Sequence, residues 1–449
     1  MINNIYNLLP YPLKVVIASL AGIQKQRLRY GPNLELLISE ANERETWSTE
    51  RWLKYQKNSL AEILAIAYHQ VPYYREQWAE RKRLGDTSDW QVLANWPILD
   101  KQAVRGNPKA FLREDAPLHS LHEDHTSGTS GTPLIIYESV ETIRAWYALF
   151  EARWRRWYGV DLKDTWAIFG GQLVAKAGQK KPPYWVWNAG MRQLYCSSYH
   201  ISRDNISAYV EALIDHKVVY ILGYASSLYS IAKFGLELDL TPPAVKLVLN
   251  NAEPLFDHQR ETIRKFFRCE VRDTYGMSEM LCAASECGQG RMHVWPETGI
   301  FEIGLNGELI STGLLNKDMP LIRYSTGDVV VFDEDKVCSC GRGLPLIKSI
   351  QGRSDDMILT RDGRRVGRLD PIFKTDLHLL EAQIIQESMD QFIIKVVPAA
   401  DYCEKDALLL SDGLKARVGD VNVNIELVDA IPRTSAGKFK AVISKVKDA

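Results

Sequence analysis

Eight consecutive residues, Thr126, Ser127, Gly128, Thr129, Ser130, Gly131, Thr132 and Pro133, bring five hydroxyls and two glycines into one stretch with no charge. Glycine lets the backbone take positive φ and turn its N–H groups toward one point, and the hydroxyls rotate to donate to the same oxygens. Such a loop suits the holding of phosphate. A second set of residues suits a metal: Cys338-Ser339-Cys340 is a tight thiol pair, and Cys287 with His293 stands about 45 residues upstream. Three thiolates and an imidazole form a closed tetrahedral set for zinc, with no open position and therefore a structural role. Cys282 is the alternative to His293 as fourth ligand.

Four further motifs follow the loop in order. They are Tyr275-Gly276-Met277-Ser278-Glu279, Tyr324-Ser325-Thr326-Gly327-Asp328, Gly352-Arg353-Ser354-Asp355-Asp356 and Pro432-Arg433-Thr434-Ser435-Ala436-Gly437-Lys438. Each is short, but the ordered set is specific. Over about residues 90–445 the chain resembles the adenylate-forming superfamily: acyl-CoA synthetases, luciferases and peptide-synthetase adenylation domains. Most members carry a Lys shortly after the loop's Pro. Leu134 stands there instead, as in the phenylacetate–CoA ligase branch, and residues 20–27, 223–228 and 293–297 are similar to the CapK-like proteins named for capsule polysaccharide gene clusters.

The resemblance implies an ATP-dependent ligase. A carboxylic acid and MgATP would give an acyl-adenylate and pyrophosphate, and a thiol such as coenzyme A, or an amine, would then displace AMP in capsule or other envelope biosynthesis. The alternative is a non-catalytic nucleotide-binding protein of the same fold, against which stand intact Glu279, Asp328, Arg353 and Lys438. Setting a carboxylate against a triphosphate requires charge screening at both and at the α-phosphorus between them. By resemblance, residues 126–132 hold the β- and γ-phosphates, Glu279 takes Mg²⁺ through its carboxylate, Asp328 accepts the ribose hydroxyls and Arg353 contacts ribose or α-phosphate. Asn251, Ala252, Glu253, Asp273, Tyr275, Gly276, Met277 and Ser278 complete the nucleotide site, and Lys438 bridges the acyl carboxylate and α-phosphate. Asp355 is the hinge, with Asp356 as fallback. An acyl pocket is suggested along 223–228, 250–254 and Tyr275, with Trp166, Tyr199 and His200 nearby, while the acid itself is not legible.

The elements that must position these groups show in the apolar pattern. Runs at 166–169, 218–222 and 245–249 alternate with helical segments at 203–216 and 257–268, which predicts α/β architecture. Residues 134–137 read as a strand beside the loop, and Gly-punctuated strands from 299 predict a β-rich, barrel-like end to the large domain. Strands at 357–359, 392–397 and 423–427 and helices at 371–380 and 405–418 predict a small mobile α+β domain. The expected division is a large domain over 1–352, with 1–90 as a helical extension, and a lid over 353–449 that carries Lys438.

Composition sets bounds on partners and compartment. With 55 Lys and Arg against 56 Asp and Glu, the 449-residue chain has net charge −1 and no basic field for nucleic acid. Seven cysteines, an odd number in so long a chain, argue for a reducing cytoplasm over a disulfide scaffold. The apolar stretch from Leu8 to Ile23 is broken by Pro10, Pro12 and Lys14, too short and interrupted to span a bilayer. Val15, Val16, Leu20 and Ile23 share a helical face, expected to pack on the large domain, with peripheral membrane attachment as the other reading. Oligomeric state is not legible.

Overall fold

The three central apolar runs bury both faces, the pattern of strands sandwiched between helices. In the computed structural model they are neighbours in one twelve-stranded sheet. The structure describes residues 6, 9–125, 134–172, 174–176, 178–253, 255, 257–304, 308–333, 337–351, 358–366, 369, 372, 377–429, 431 and 442–446.

Two short strands, β1 (His122–His125) and β2 (Ile135–Glu138), pair antiparallel on either side of the hydroxyl-rich loop. The large sheet begins with β3 (Trp166–Gly170), β4 (Trp185–Asn188), β5 (Gln193–Ser197), β6 (Tyr220–Gly223), β7 (Leu247–Asn250) and β8 (Glu270–Gly276). Apart from β4, these strands run parallel. The sheet continues as antiparallel strands β9 (Ala283–Glu286), β10 (Met292–Val294), β11 (Gly299–Ile303), β12 (Glu308–Gly313), β13 (Tyr324–Phe332) and β14 (Leu346–Gln351), in the order β11-β12-β13-β14-β10-β9-β8-β7-β6-β3-β5-β4. The β-rich part expected after residue 299 is therefore joined edge to edge with the parallel half.

Among the described residues are ten α-helices: α1 (Tyr11–Arg29), α2 (Leu34–Arg44), α3 (Thr49–Gln70), α4 (Pro72–Arg83), α5 (Lys101–Gly106), α6 (Val140–Phe150), α7 (Ile206–Asp215), α8 (Ala225–Glu237), α9 (Asp257–Phe267) and α10 (Glu404–Val418). Strand periodicity of two decides which helices each strand meets. Ala167, Phe169, Ile221 and Val248 face the core of α7, α8 and α9, whereas Trp166, Tyr220, Leu222, Leu247 and Leu249 face the core of α2 and α6.

Helix α1 forms where its apolar residues predicted, but turned over. Its small residues face inward: a Cβ on Gly22 would fall 1.8 Å from Asn188 Oδ1, one on Gly190 would fall 2.3 Å from the Ile23 nitrogen, and Ala189 N donates to Ser19 Oγ at 3.0 Å. Such close approach leaves no room for aliphatic side chains in the contact. Of the four residues expected against the large domain, Val16, Leu20 and Ile23 point to solvent instead and Val15 is half-buried.

The C-terminal region has its own sheet. Beside the short pair β15 (Ile358–Leu359) and β16 (Arg365–Val366), strands β17 (Leu379–Gln386), β18 (Gln391–Pro398), β19 (Asn422–Leu427) and β20 (Val442–Ser444) line up as β19-β18-β17-β20, with α10 packed on them. The helix expected at 371–380 does not reach its predicted end. Leu379 opens β17, where pairing with β18 across Leu379–Gln386 satisfies the backbone that a helix would otherwise have to satisfy. Arg417 of α10 donates to the Tyr199 hydroxyl at 3.2 Å, and Tyr199 lies in the same apolar cluster as β17 and β18.

Candidate active site

The carboxyl ends of neighbouring parallel strands, where ligands bind in open α/β sheets, gather most of the described site residues. Register aligns Phe169 of β3 with Gly223, Gly223 with Asn250 and Asn250 with Asp273. Beyond these ends Asn250 Nδ2 donates to both Glu253 O and Asp273 Oδ1 at 2.7 Å, and Asn251 N donates to Gly223 O at 3.0 Å. Ala252 sits at φ 65°, in the left-handed region that a side chain rarely takes. That turn is held by its asparagine bonds and not by backbone preference. Burial pushes the Asp273 carboxyl up to about 7, against the opposing Asn250 bond.

Two of the sequence motifs meet through reciprocal bonds. Tyr275 Oη, from the first, donates to Asp328 Oδ2 of the second at 2.7 Å, and Tyr324 Oη, from the second, donates to Glu279 Oε1 of the first at 2.9 Å. Each acid at the end of one motif is thus oriented by the tyrosine that opens the other. Gly327 supplies the positive φ, 77°, that turns the chain before Asp328. Gly276 ends β8, and Met277 and Ser278 lead into the turn closed by Met280 N on Met277 O at 3.1 Å.

Glu279 has a partner that the motifs did not announce. Lys101 Nζ lies 3.0 Å from Glu279 Oε1, at the start of α5. Burial pushes the Glu279 carboxyl up, but the Lys101 ammonium outweighs it, with help from the Tyr324 hydroxyl, and holds the group below the usual carboxylate range. Lys101 is held by backbone: Leu99 N donates to Arg323 O at 2.9 Å and Ser325 N to Leu99 O at 3.0 Å, which ties its segment to the start of β13. The sequence held one hint, the leucine at 134 where most members of the resembled superfamily carry a lysine. Leu134, Val104 of α5 and Tyr324 share one apolar cluster.

Glu138, at the end of β2, is also new. Its carboxyl is 1% exposed, Oε1 meets no hydrogen-bond partner, and burial, then the charges of Asp124 and Glu279, push it up to about 8. A buried, unpartnered carboxyl oxygen facing two further acids is a donor set that suits a hard divalent cation. Glu279 and Glu138 therefore fit Mg²⁺. Residues 126–132, Arg353, Asp355, Asp356 and Lys438 lie outside the described residues.

The cysteine and histidine ligands come together. The ligand atoms of Cys287, His293, Cys338 and Cys340 all lie within 4.8 Å of one another, with Cys287 Sγ 3.7 Å from Cys338 Sγ and Cys340 Sγ 3.3 Å from His293 Nε2. His293 Nδ1 sits 3.2 Å from the Leu344 carbonyl, so that nitrogen carries the proton and Nε2 keeps its lone pair toward the thiols. Cys282 is not part of the group. Its thiol lies 3.6 Å from Tyr275 Oη and 3.1 Å from Met277 Sδ, because Cys282, just ahead of β9, packs in the apolar cluster of Tyr275, Met277, Leu309 and Val330. The Cys338–Cys340 turn is anchored to the N-terminal helices, with Arg342 Nε 3.0 Å from Glu45 Oε2 and Gly343 N 2.7 Å from Glu45 O.

Comparison with known proteins adds to this geometry. Residues 358–445 match the CapK C-terminal domain family. Protein CapK of Staphylococcus aureus is 26% identical over the full length of both chains. The chain resembles the adenylate-forming enzymes, in their CapK and phenylacetate–coenzyme A ligase branch. Phenylacetate-coenzyme A ligase of Pseudomonas putida is 27% identical, over 71% of this chain and 74% of the ligase. Among solved structures, 2-hydroxyisobutyryl-CoA ligase in its thioesterification state, with 2-HIB-AMP and CoA bound, superposes with a TM-score of 0.56 at 23% identity, covering 90% of this chain and 91% of that one. At that identity the likeness establishes the fold.

Proposed function

We propose that the protein is an ATP-dependent ligase that activates a carboxylic acid as its acyl-adenylate and passes the acyl group to coenzyme A or to an amine. The observation that carries this reading is the reciprocal Tyr275–Asp328 and Tyr324–Glu279 pairing at the strand ends, which orients the two acids that the reading assigns to the ribose and to the metal. Asp328 accepts the ribose hydroxyls. Residues 250–253 and 273–278 border the nucleotide, residues 126–132 and Lys101 face the β- and γ-phosphates, and Lys101 exchanges Glu279 for phosphate oxygens when ATP enters. Glu279 and Glu138 would hold Mg²⁺, which supplies charge neutralisation on the leaving pyrophosphate. Arg353 contacts ribose or α-phosphate, and Lys438 stabilises the α-phosphorus as charge builds on its oxygens.

The boundary between residues 352 and 353, with Asp355 as pivot, divides a large nucleotide domain from a lid that brings Lys438 in for adenylation and withdraws it for acyl transfer. A separate sheet over β17–β20 and a family match confined to 358–445 support that division. The cysteine cluster binds one structural zinc, and a capsule polysaccharide setting is in keeping with the CapK relative.

A pyrophosphate-release screen over carboxylic acids, with coenzyme A and amines added separately, tests the reaction. At least one acid should release pyrophosphate in an ATP-dependent manner. No release with any class, together with no ATP binding, overturns the ligase reading. Lys101→Met should weaken ATP binding by about tenfold or more, measured calorimetrically without turnover, since one desolvated charge contact is lost. Unchanged affinity would leave Lys101 as a structural clamp on Glu279.

A further inference from the structure

We propose that the outward face of α1 docks on an anionic lipid surface. Leu13, Val16, Ile17, Leu20 and Ile23 recur at helical spacing on this face and are 49%, 52%, 45%, 63% and 39% exposed. The helix does not present them by default. It is clamped through its opposite side, where Ser19 and Gly22 meet the Asn188–Met191 turn too closely for any larger residue. A helix seated by its small residues with its aliphatic residues outward has the reverse of the usual amphipathic arrangement.

Charge selects the occupant. Tyr11–Arg29 contains four cations, Lys14, Lys25, Arg27 and Arg29, and no acid. Arg27 is exposed at the end of the apolar strip, with Lys25 on its flank, where burial and Arg29 lower the ammonium's pKa against the pull of Asp124, while Arg29 lies over the Tyr147 ring at 4.1 Å. Aliphatic residues bounded by exposed cations are what an in-plane interfacial helix uses against acidic headgroups. From Leu13 to Ile23 the strip is about 15 Å long on a cylinder about 10 Å across. That is well short of the ~800 Å² per partner that a stable dimer buries. No described helix is long and apolar enough to cross a membrane, so the contact lies on the surface.

The experiment is co-sedimentation of the full chain with phosphatidylcholine vesicles, with and without phosphatidylglycerol. Binding should require phosphatidylglycerol and fall as salt rises. The double variant V16E/L20E should lower the bound fraction by about tenfold or more while the melting temperature stays unchanged, because both side chains already face solvent. K25E/R27E should remove the preference for phosphatidylglycerol. Absence of vesicle binding by folded protein at low salt overturns the proposal. So does a concentration-dependent dimer that V16E/L20E converts to monomer, which would assign the face to a second copy. ATP binding by V16E/L20E should be unaltered, so the outcome is separable from that of the ligase reading.

Discussion

Around His293 the polar groups close on one another. Three thiols and Nε2 lie within 4.8 Å, Nδ1 is committed to the Leu344 carbonyl, and the turn that carries two of the thiols is bonded to Glu45. Around Glu279 they do not close. Lys101 and Tyr324 both sit on Oε1, Glu138 keeps a buried oxygen without a partner, and the motifs that bear Arg353 and Lys438 come from a later part of the chain. Both regions lie beside the same antiparallel strands, so local fold does not separate them. The difference lies in satisfaction: the first cluster's polar atoms meet one another, whereas the second keeps charge and a lone pair in reserve, as the proposed structural and substrate-receiving roles would each require.

The largest effect should come from opening the closed site. Cys338→Ser should abolish stoichiometric zinc, measured by metal analysis, and lower stability by several kcal/mol, about 3 or more, since metal affinity contributes directly to folding. Adenylation per folded molecule should stay near normal. Zinc-free native protein, or freely titrating thiols at all four positions, would instead reduce the cluster to core packing and end the contrast.

Lys438→Ala is the mirror image. It should reduce acyl-adenylate formation about 100-fold, the loss expected for one preorganised charge contact, while zinc content and melting temperature hold. Near-normal pyrophosphate release would remove Lys438 from the chemistry.

The reserve of charge at the open site should have a stability cost that depends on pH. The Glu138 carboxyl is raised from 4.5 to about 8, so the folded protein holds this proton more tightly than the unfolded chain. The stabilisation it contributes is complete below pH 4.5 and is lost as pH rises through about 8. In metal-free protein Glu138→Gln should match the parent near pH 4.5 and exceed it by up to about 5 kcal/mol above pH 8 in urea denaturation. Parallel stability curves for the two proteins would show that this carboxyl is already satisfied.

The reciprocal bonds give the smallest effect. Tyr324→Phe and Tyr275→Phe should each cost about 1–2 kcal/mol. Tyr324→Phe should be the more damaging, because Glu279 is 4% exposed whereas Asp328 is only partly buried. Equal costs would mean that Lys101 alone keeps Glu279 satisfied.

What the sequence determined by itself was whatever short-range physics controls. Apolar runs of strand length between helical segments marked the parallel sheet at 166–169, 218–222 and 245–249, and residue type and spacing picked out the glycines, acids and thiols of the motifs on which the proposed chemistry rests. Periodicity also found α1, yet it could not say which side would face the protein. Shape decided that, since Gly22 and Gly190 admit a backbone contact that Val16 and Leu20 would block. Tertiary structure alone brought Lys101 to Glu279 across 178 residues, crossed the two tyrosine–acid pairs across 53 and 45, and placed Cys282 against Tyr275 and Met277 while His293 joined the thiols. Such contacts depend on which strands become neighbours in the sheet, a long-range outcome of packing that no local propensity encodes.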